Sequence, residues 1–226
     1  MKQHFKCIAL ACAALGLFAS STAHAQSTGS WLVRAGATKI TPKVDSGDLS
    51  PPGLAGSKAD VESDTEFSGG ITYMLNDNVS IDVPLAMPFK HNLVGAGAIA
   101  GVGKIGEVHA LPLTVLGQYR FLEASSQFRP YLGAGLTYAK FYKEKGTAAL
   151  SALTGGTPSN PTTLSVDSKL GVTIGVGASV TFNERWFADV QLLKTYLKTT
   201  TTLSTGQTLD IKLDPVTTSL AIGYRF

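Results

Sequence analysis

The C-terminal segment constrains the fold most. From Val216 onward, Val216, Thr218, Leu220, Ile222, Tyr224 and Phe226 fall on one face. Thr217, Ser219, Ala221, Gly223 and Arg225 fall on the other. A period of two with one apolar face and one small or polar face is the signature of a half-buried β-strand. The same alternation predicts seven earlier strands, over residues 31–41, 62–75, 79–89, 108–121, 128–142, 166–182 and 185–200. In the third of these, Val79, Ile81, Val83, Leu85, Met87 and Phe89 share the outward phase.

Connections between the segments alternate in length. Residues 76–78, 123–127 and 183–184 are short turns, whereas residues 42–61, 90–107, 143–165 and 201–210 are long loops. An up-and-down barrel inserted from one side has this pattern, with tight periplasmic turns and larger external loops. Charged residues make up 15% of the chain, below the roughly 25% of soluble domains. No apolar run after residue 25 is long enough to cross a bilayer as a helix. A backbone polar group left unpaired in lipid is costly, so a membrane sheet must close on itself. The prediction is an all-β fold: an eight-stranded antiparallel up-and-down transmembrane β-barrel over residues 26–226. Its aromatic strand ends (Trp31, Tyr73, Phe121, Phe182, Trp186, Tyr224, Phe226) would form an interfacial girdle in outer-membrane lipid.

The first residues predict how the chain gets there. Lys2 and Lys6 precede an apolar run from Ile8 to Ala19, followed by Ala23-His24-Ala25. That is a cleavable export signal over residues 1–25. Both cysteines, Cys7 and Cys12, lie within it, which leaves no thiol or disulfide chemistry to the mature chain. No basic block points to nucleic acid.

The inward phase carries Arg34, Glu66, Asp82, Arg120, Arg129, Lys169, Asp189 and Arg225. Most sit near strand ends on the periplasmic side. Both signs are present, and an eight-stranded barrel is only wide enough for side chains or one small ligand. We therefore expect Arg34, Asp82, Arg120, Asp189 and Arg225 to form a periplasmic plug. Leu116, Phe141, Leu193 and Leu197 share the inward phase toward the external half and are expected to line a hydrophobic lumen. A molecule held there above a plug would need a sideways exit. Proline cannot donate to a ladder, so Pro84, Pro88 and Pro112 predict a break in the wall, either a lateral opening or a plain bulge.

Several stretches resemble one known family. The run from His109 to Phe121, HALPLTVLGQYRF, and the run from Phe128 to Tyr138, FRPYLGAGLTY, resemble strands of the OmpW/AlkL outer-membrane proteins. Asn76-Asp77-Asn78-Val79, Pro88-Phe89-Lys90-His91, Leu213-Asp214-Pro215 and Gly223-Tyr224-Arg225-Phe226 match in order. The loops at residues 95–106 and 148–161 depart from it, as does Pro84. The resemblance implies an eight-stranded barrel that passes small apolar molecules into the membrane through a lateral opening. The terminal Phe226, with Tyr224 two places before it, resembles the signature that such barrels present to the barrel-assembly machinery.

Other signals carry less. Gly101-Val102-Gly103-Lys104-Ile105-Gly106 spells G-x-G-x-x-G, but a dinucleotide site needs a strand before it and a helix after it; a flexible external loop is the expectation. His91 and His109 lack the spacing and companions of a metal site, and no nucleophile–base–carboxylate set is legible. We expect no enzyme activity, cofactor or metal. The leading expectation is passive uptake of small hydrophobic molecules. Its rivals are a structural or adhesive barrel acting through residues 148–161 and a soluble periplasmic ligand carrier.

Overall fold

The computed structural model describes residues 27–226, so the predicted export signal lies outside the described residues. Fourteen strands and one short helix follow in the order β1 (Trp31–Thr41), β2 (Asp45–Ser46), β3 (Ser57–Val61), β4 (Asp64–Met74), β5 (Val79–Ala86), β6 (Phe89–Gly97), β7 (Lys104–Arg120), β8 (Phe128–Gly146), α1 (Ala148–Thr154), β9 (Leu164–Val166), β10 (Lys169–Thr181), β11 (Trp186–Tyr196), β12 (Lys198–Leu203), β13 (Thr208–Lys212) and β14 (Val216–Arg225). Eight of them form a closed antiparallel ring, β1–β4–β5–β7–β8–β10–β11–β14 and back to β1. The closing seam runs from Leu32↔Arg225 to Thr41↔Val216. Every predicted strand is present.

Alternation sets which way each side chain points. Val33, Ile71, Ile81, Leu113, Leu132, Val172, Val190 and Leu220 stand exposed on the outside, where hydrocarbon rather than water surrounds them. Aromatic rings meet near the short-turn end: Trp31 and Tyr73 lie 4.7 Å apart between centroids, Trp186 and Tyr224 5.1 Å, and Tyr224 and Phe226 4.9 Å. Two of the short turns are built by the same device. The Asn76 Oδ1 atom accepts from the Asn78 and Val79 amides (2.9 and 2.8 Å), and Asn183 Oδ1 accepts from Arg185 and Trp186 (3.0 and 2.9 Å). An asparagine side chain that mimics a backbone turn in this way reverses the chain without costing a ladder bond.

The long connections depart from expectation. They are ordered rather than slack. β3 pairs with β6, and β2, β13, β12 and β9 form a second sheet of four strands. Ala59, Val61, Leu93, Ile99, Ile105, Leu150, Leu164, Leu203, Leu209 and Ile211 form a buried core among these elements. Helix α1 begins at Thr147, whose side chain accepts from the Leu150 amide, and ends at Gly155 with φ 82°. Of the glycine-rich stretch 101–106, residues 101–103 belong to the turn between β6 and β7, with Gly101 and Gly103 at φ +88° and +80°, a region that glycine enters without strain, and residues 104–106 begin β7.

One phase assignment is corrected. Phe89 is buried inside rather than outward. The strand breaks at Met87-Pro88 and restarts as β6, which shifts the alternation by one residue. Lys169 keeps the inward phase, opposite buried Ala139 in the β8–β10 ladder, but at the start of β10 its side chain is exposed and pairs with Asp167 at 3.1 Å.

Candidate functional site

The interior is layered. The layer nearest the short turns is apolar: Leu32, Met74 and Phe187 pack together. Gly223 makes room for it, since a Cβ there would lie 2.1 Å from the Phe187 ring.

Above that lies a buried charged network. Arg34 donates to both carboxylate oxygens of Asp82, at 2.7 and 2.8 Å, and to Thr72 at 2.9 Å. Thr72, Gln118 and Gln191 also donate to Asp82, at 2.6, 3.0 and 3.2 Å. On the other side, Arg34 Nε is 3.9 Å from Asp189, and the Tyr131 hydroxyl donates to Asp189 at 3.0 Å. The Arg120 guanidinium stacks 4.6 Å over the Tyr131 ring and donates to Gln118 at 3.1 Å. Two arginines thus face two carboxylates, and charge pairing with full hydrogen bonding is what lets such groups stay buried. Four predicted plug residues, Arg34, Asp82, Arg120 and Asp189, come together here. Arg225 does not join them: it sits at the rim and donates to the Glu184 carbonyl. Arg129 holds the turns instead, donating to the Asp77 carbonyl at 2.6 Å.

Toward the external side a cavity of about 110 Å³ opens. Ile40, Val61, Phe89, Leu93, Val108, Ala110, Val166, Ile211 and Leu213 contribute to its walls, with the predicted Phe141, Leu193 and Leu197. Leu116 is a correction. It is fully buried but lies opposite Asp82 in the ladder, at the height of the charged network, and does not line the cavity. Tilted, staggered strands of unequal length do not convert sequence position into height directly. A second, smaller apolar cavity of about 50 Å³ lies among the external elements and α1. It shares Leu93, Thr201 and Ile211 with the first, so the two adjoin.

One stretch of the wall lacks its ladder. β5 pairs with β7 only from Val79↔Tyr119 to Asp82↔Leu116, and pairing with β7 resumes in β6 at Phe89↔Ala110. Between these points residues 83–88 face residues 111–115 with no ladder pair. Pro84 and Pro112 both sit in this seam and both line the cavity. Leu85 lines it too while exposing its side chain outside. Pro88 is placed differently: it is the break between β5 and β6 and does not line the cavity.

Of the two histidines among the described residues, His91 lines the cavity and His109 does not. His91 is buried, with Nδ1 2.8 Å from the Glu62 carbonyl. The His109 ring lies 5.7 Å from Tyr142. Among the described residues no cluster of three or more His, Cys, Asp or Glu side chains is placed to hold a metal.

Tyr131, Gln118, Gln191 and Thr72 were not singled out by sequence reasoning, nor was the Leu32–Met74–Phe187 layer. All of them lie in the inward phase of predicted strands, where an uncharged side chain carries no mark that sets it apart from the small and polar residues around it.

Comparison with known proteins is consistent along the whole described chain. The chain is 33% identical over 220 residues to Outer membrane protein W of Vibrio cholerae, covering 95% of this chain and 96% of that protein. It is 26% identical over 176 residues to the dibenzothiophene metabolism operon protein PahQ of Pseudomonas aeruginosa, covering 76% and 77%. The crystal structure of OprG from Pseudomonas aeruginosa superposes with a TM-score of 0.81 at 26% identity, covering 90% of this chain and 99% of that one. The model of the OmpW family matches residues 27–226. A closed ring with an apolar exterior and this match across its full length place the chain in the bacterial outer membrane as a member of the OmpW family.

Proposed function

We propose that this barrel admits small hydrophobic molecules from outside and releases them sideways into the outer membrane. The observation that carries this reading is the combination of an apolar cavity, a sealed charged floor and an unpaired wall seam at the cavity's own height. A molecule entering through the external apolar cavity passes along Phe141, Leu197 and Leu193. Below it the Arg34, Asp82, Arg120 and Asp189 plug offers no route that does not break buried charge pairs. The seam at Pro84 and Pro112 leads from the cavity to lipid. Prolines there suit an opening, since they remove donors that would knit β5 to β7. Pro88 would ease the same break by ending β5. Leu116 and Arg225 serve the floor's packing and rim rather than the lumen. Membership of a related protein in a dibenzothiophene metabolism operon agrees with an apolar cargo.

The test is the entry rate of a medium-chain alkane into cells with and without the protein, read by an intracellular oxidation independent of it. Leu193→Asp with Leu197→Asp, in a correctly folded barrel, should reduce entry to the level of cells lacking the protein. Unchanged entry would sink the channel.

A second reading has one observation in its favour. Residues 148–161 form a built external element, with α1 anchored through Leu150 in the core, and such an element suits adhesion. Removing it would then abolish surface binding while lumen changes do nothing. At the opposite end, Phe226 is exposed, with its amide bonded to the Trp31 carbonyl at 2.9 Å. That leaves its ring available to the barrel-assembly machinery.

A further inference from the structure

Above the charged floor, within the wall of the apolar cavity, runs a belt of hydroxyl groups. Thr114 on β7 bonds Thr137 on β8 at 2.8 Å, Thr137 bonds Thr173 on β10 at 2.6 Å, and Thr173 bonds Thr195 on β11 at 2.9 Å. Across the barrel, Thr38 on β1 donates to Ser68 on β4 at 2.7 Å and lies 2.7 Å from the Ser219 hydroxyl on β14. Seven of the eight ring strands therefore contribute a hydroxyl. The eighth, β5, contributes none: Ala86 stands opposite Ser68 in the ladder, and Pro84 lies two residues before it, in the seam. Thr38, Thr114, Thr137, Thr195 and Ser219 all line the cavity.

The chemistry of this belt is specific. Each hydroxyl has one proton to donate and two lone pairs to offer. In the four-hydroxyl run three protons are used and one is left over, and lone pairs remain along its length. The belt is thus satisfied when empty, so a pure hydrocarbon can pass without stranding a polar group. A ligand with a hydroxyl or carbonyl end gains a hydrogen bond there. A carboxylate gains little, because the nearest charges lie beneath and are already paired with one another.

We propose that the belt is a head-group subsite for neutral amphiphiles, namely alcohols, aldehydes or ketones with a short apolar tail. The proposal rests on the channel reading and deepens it. The polar end sits on the hydroxyls and the tail lies toward Leu197 and Phe141; Thr114 belongs to the unpaired stretch 111–115, so the head group is held at the height of the seam.

The test uses the full protein in lipid nanodiscs with ¹³C-labelled leucine and threonine methyl groups, titrated with 1-octanol and with n-octane. Octanol should shift the Thr137, Thr173 and Thr195 methyl signals, whereas octane should shift chiefly those of Leu193 and Leu197. The isosteric T137V/T173V variant should lower the affinity for octanol relative to octane about five-fold, the worth of one net hydrogen bond. Thr173→Ser, which keeps the hydroxyl, should bind octanol as the parent does. Octanol and octane moving the same leucine methyls with equal affinity would overturn the head-group proposal while leaving the channel standing. So would a T137V/T173V variant that weakens both ligands alike. If neither ligand moves any lumen methyl, the channel reading falls as well. Should the double variant not fold, the comparison of the two ligands on the parent protein still decides the matter.

Discussion

Removing the Asp82 carboxylate is the sharpest test of how the floor holds together. Asp82 accepts five hydrogen bonds, two from Arg34 and one each from Thr72, Gln118 and Gln191. In Asp82→Ala those donors lose their acceptor, and the Arg34 cation keeps only Thr72 at 2.9 Å and Asp189 at 3.9 Å. Breaking a buried ion pair by removing one partner costs about 3–5 kcal/mol. The second carboxylate nearby places this case toward about 3 kcal/mol. Urea unfolding of the barrel from lipid vesicles measures the loss. The two tryptophans of the chain, Trp31 and Trp186, stand exposed at the lipid boundary and report transfer to water by fluorescence. The Arg34→Met/Asp82→Leu double variant removes both charges and fills the space, and should recover at least half of the loss, since apolar replacement of a buried pair is often close to neutral. A loss below about 1 kcal/mol for Asp82→Ala would refute the argument, because it would leave the donors no worse off than in water. A double variant as unstable as the sum of the singles would refute it too.

Three further outcomes are expected. Gly223→Ala should destabilise the barrel by about 1–3 kcal/mol in the same unfolding assay, because its Cβ would meet a Phe187 ring already packed on Leu32 and Met74. Pro84→Ala with Pro112→Ala should slow alkane entry several-fold, and amide hydrogen exchange should show new protection across residues 83–88 and 111–115; unchanged exchange there would mean the prolines do not keep the seam open. Glu107, in the external part of β7, is held at about 2 by hydrogen bonds from Lys104 and Lys90. Its lysine contacts favour the charged form, so their contribution to the β6–β7 hairpin is complete above its ordinary value of 4.5 and is lost as pH falls toward about 2. Hydrogen exchange of that hairpin should rise over this interval in the parent protein and not in Glu107→Gln.

The ring was legible because its signal is local. A strand with lipid on one side and side chains on the other writes itself as a period of two, and β1 and β14 follow that pattern almost to the residue. The floor was half legible. Arg34, Asp82, Arg120 and Asp189 announce themselves as charges in an apolar chain, but that Asp82 is the hub depends on which strands adjoin, and Gln191 reaches it from a position 109 residues away. Leu116 shows the same limit: its phase was readable, its height was not. The external core stayed hidden because Leu203, Leu209 and Ile211 alternate over strands of only five or six residues, too short to stand out from turn-rich sequence. At Phe89 a proline reset the count, and no rule of alternation survives a broken strand.

Closure has a consequence for how the molecule comes into being. The seam that completes the ring joins Leu32 to Arg225 and Thr41 to Val216, pairs separated by nearly the entire described chain. Until β14 arrives, β1 and β11 each present an open row of donors and acceptors that hydrocarbon cannot satisfy. Contacts so distant in sequence form slowly, because the entropy of closing the loop must be overcome before any reward. A partial ring in hydrocarbon would leave those rows unsatisfied, so the β1–β14 pairing completes the form that lipid tolerates.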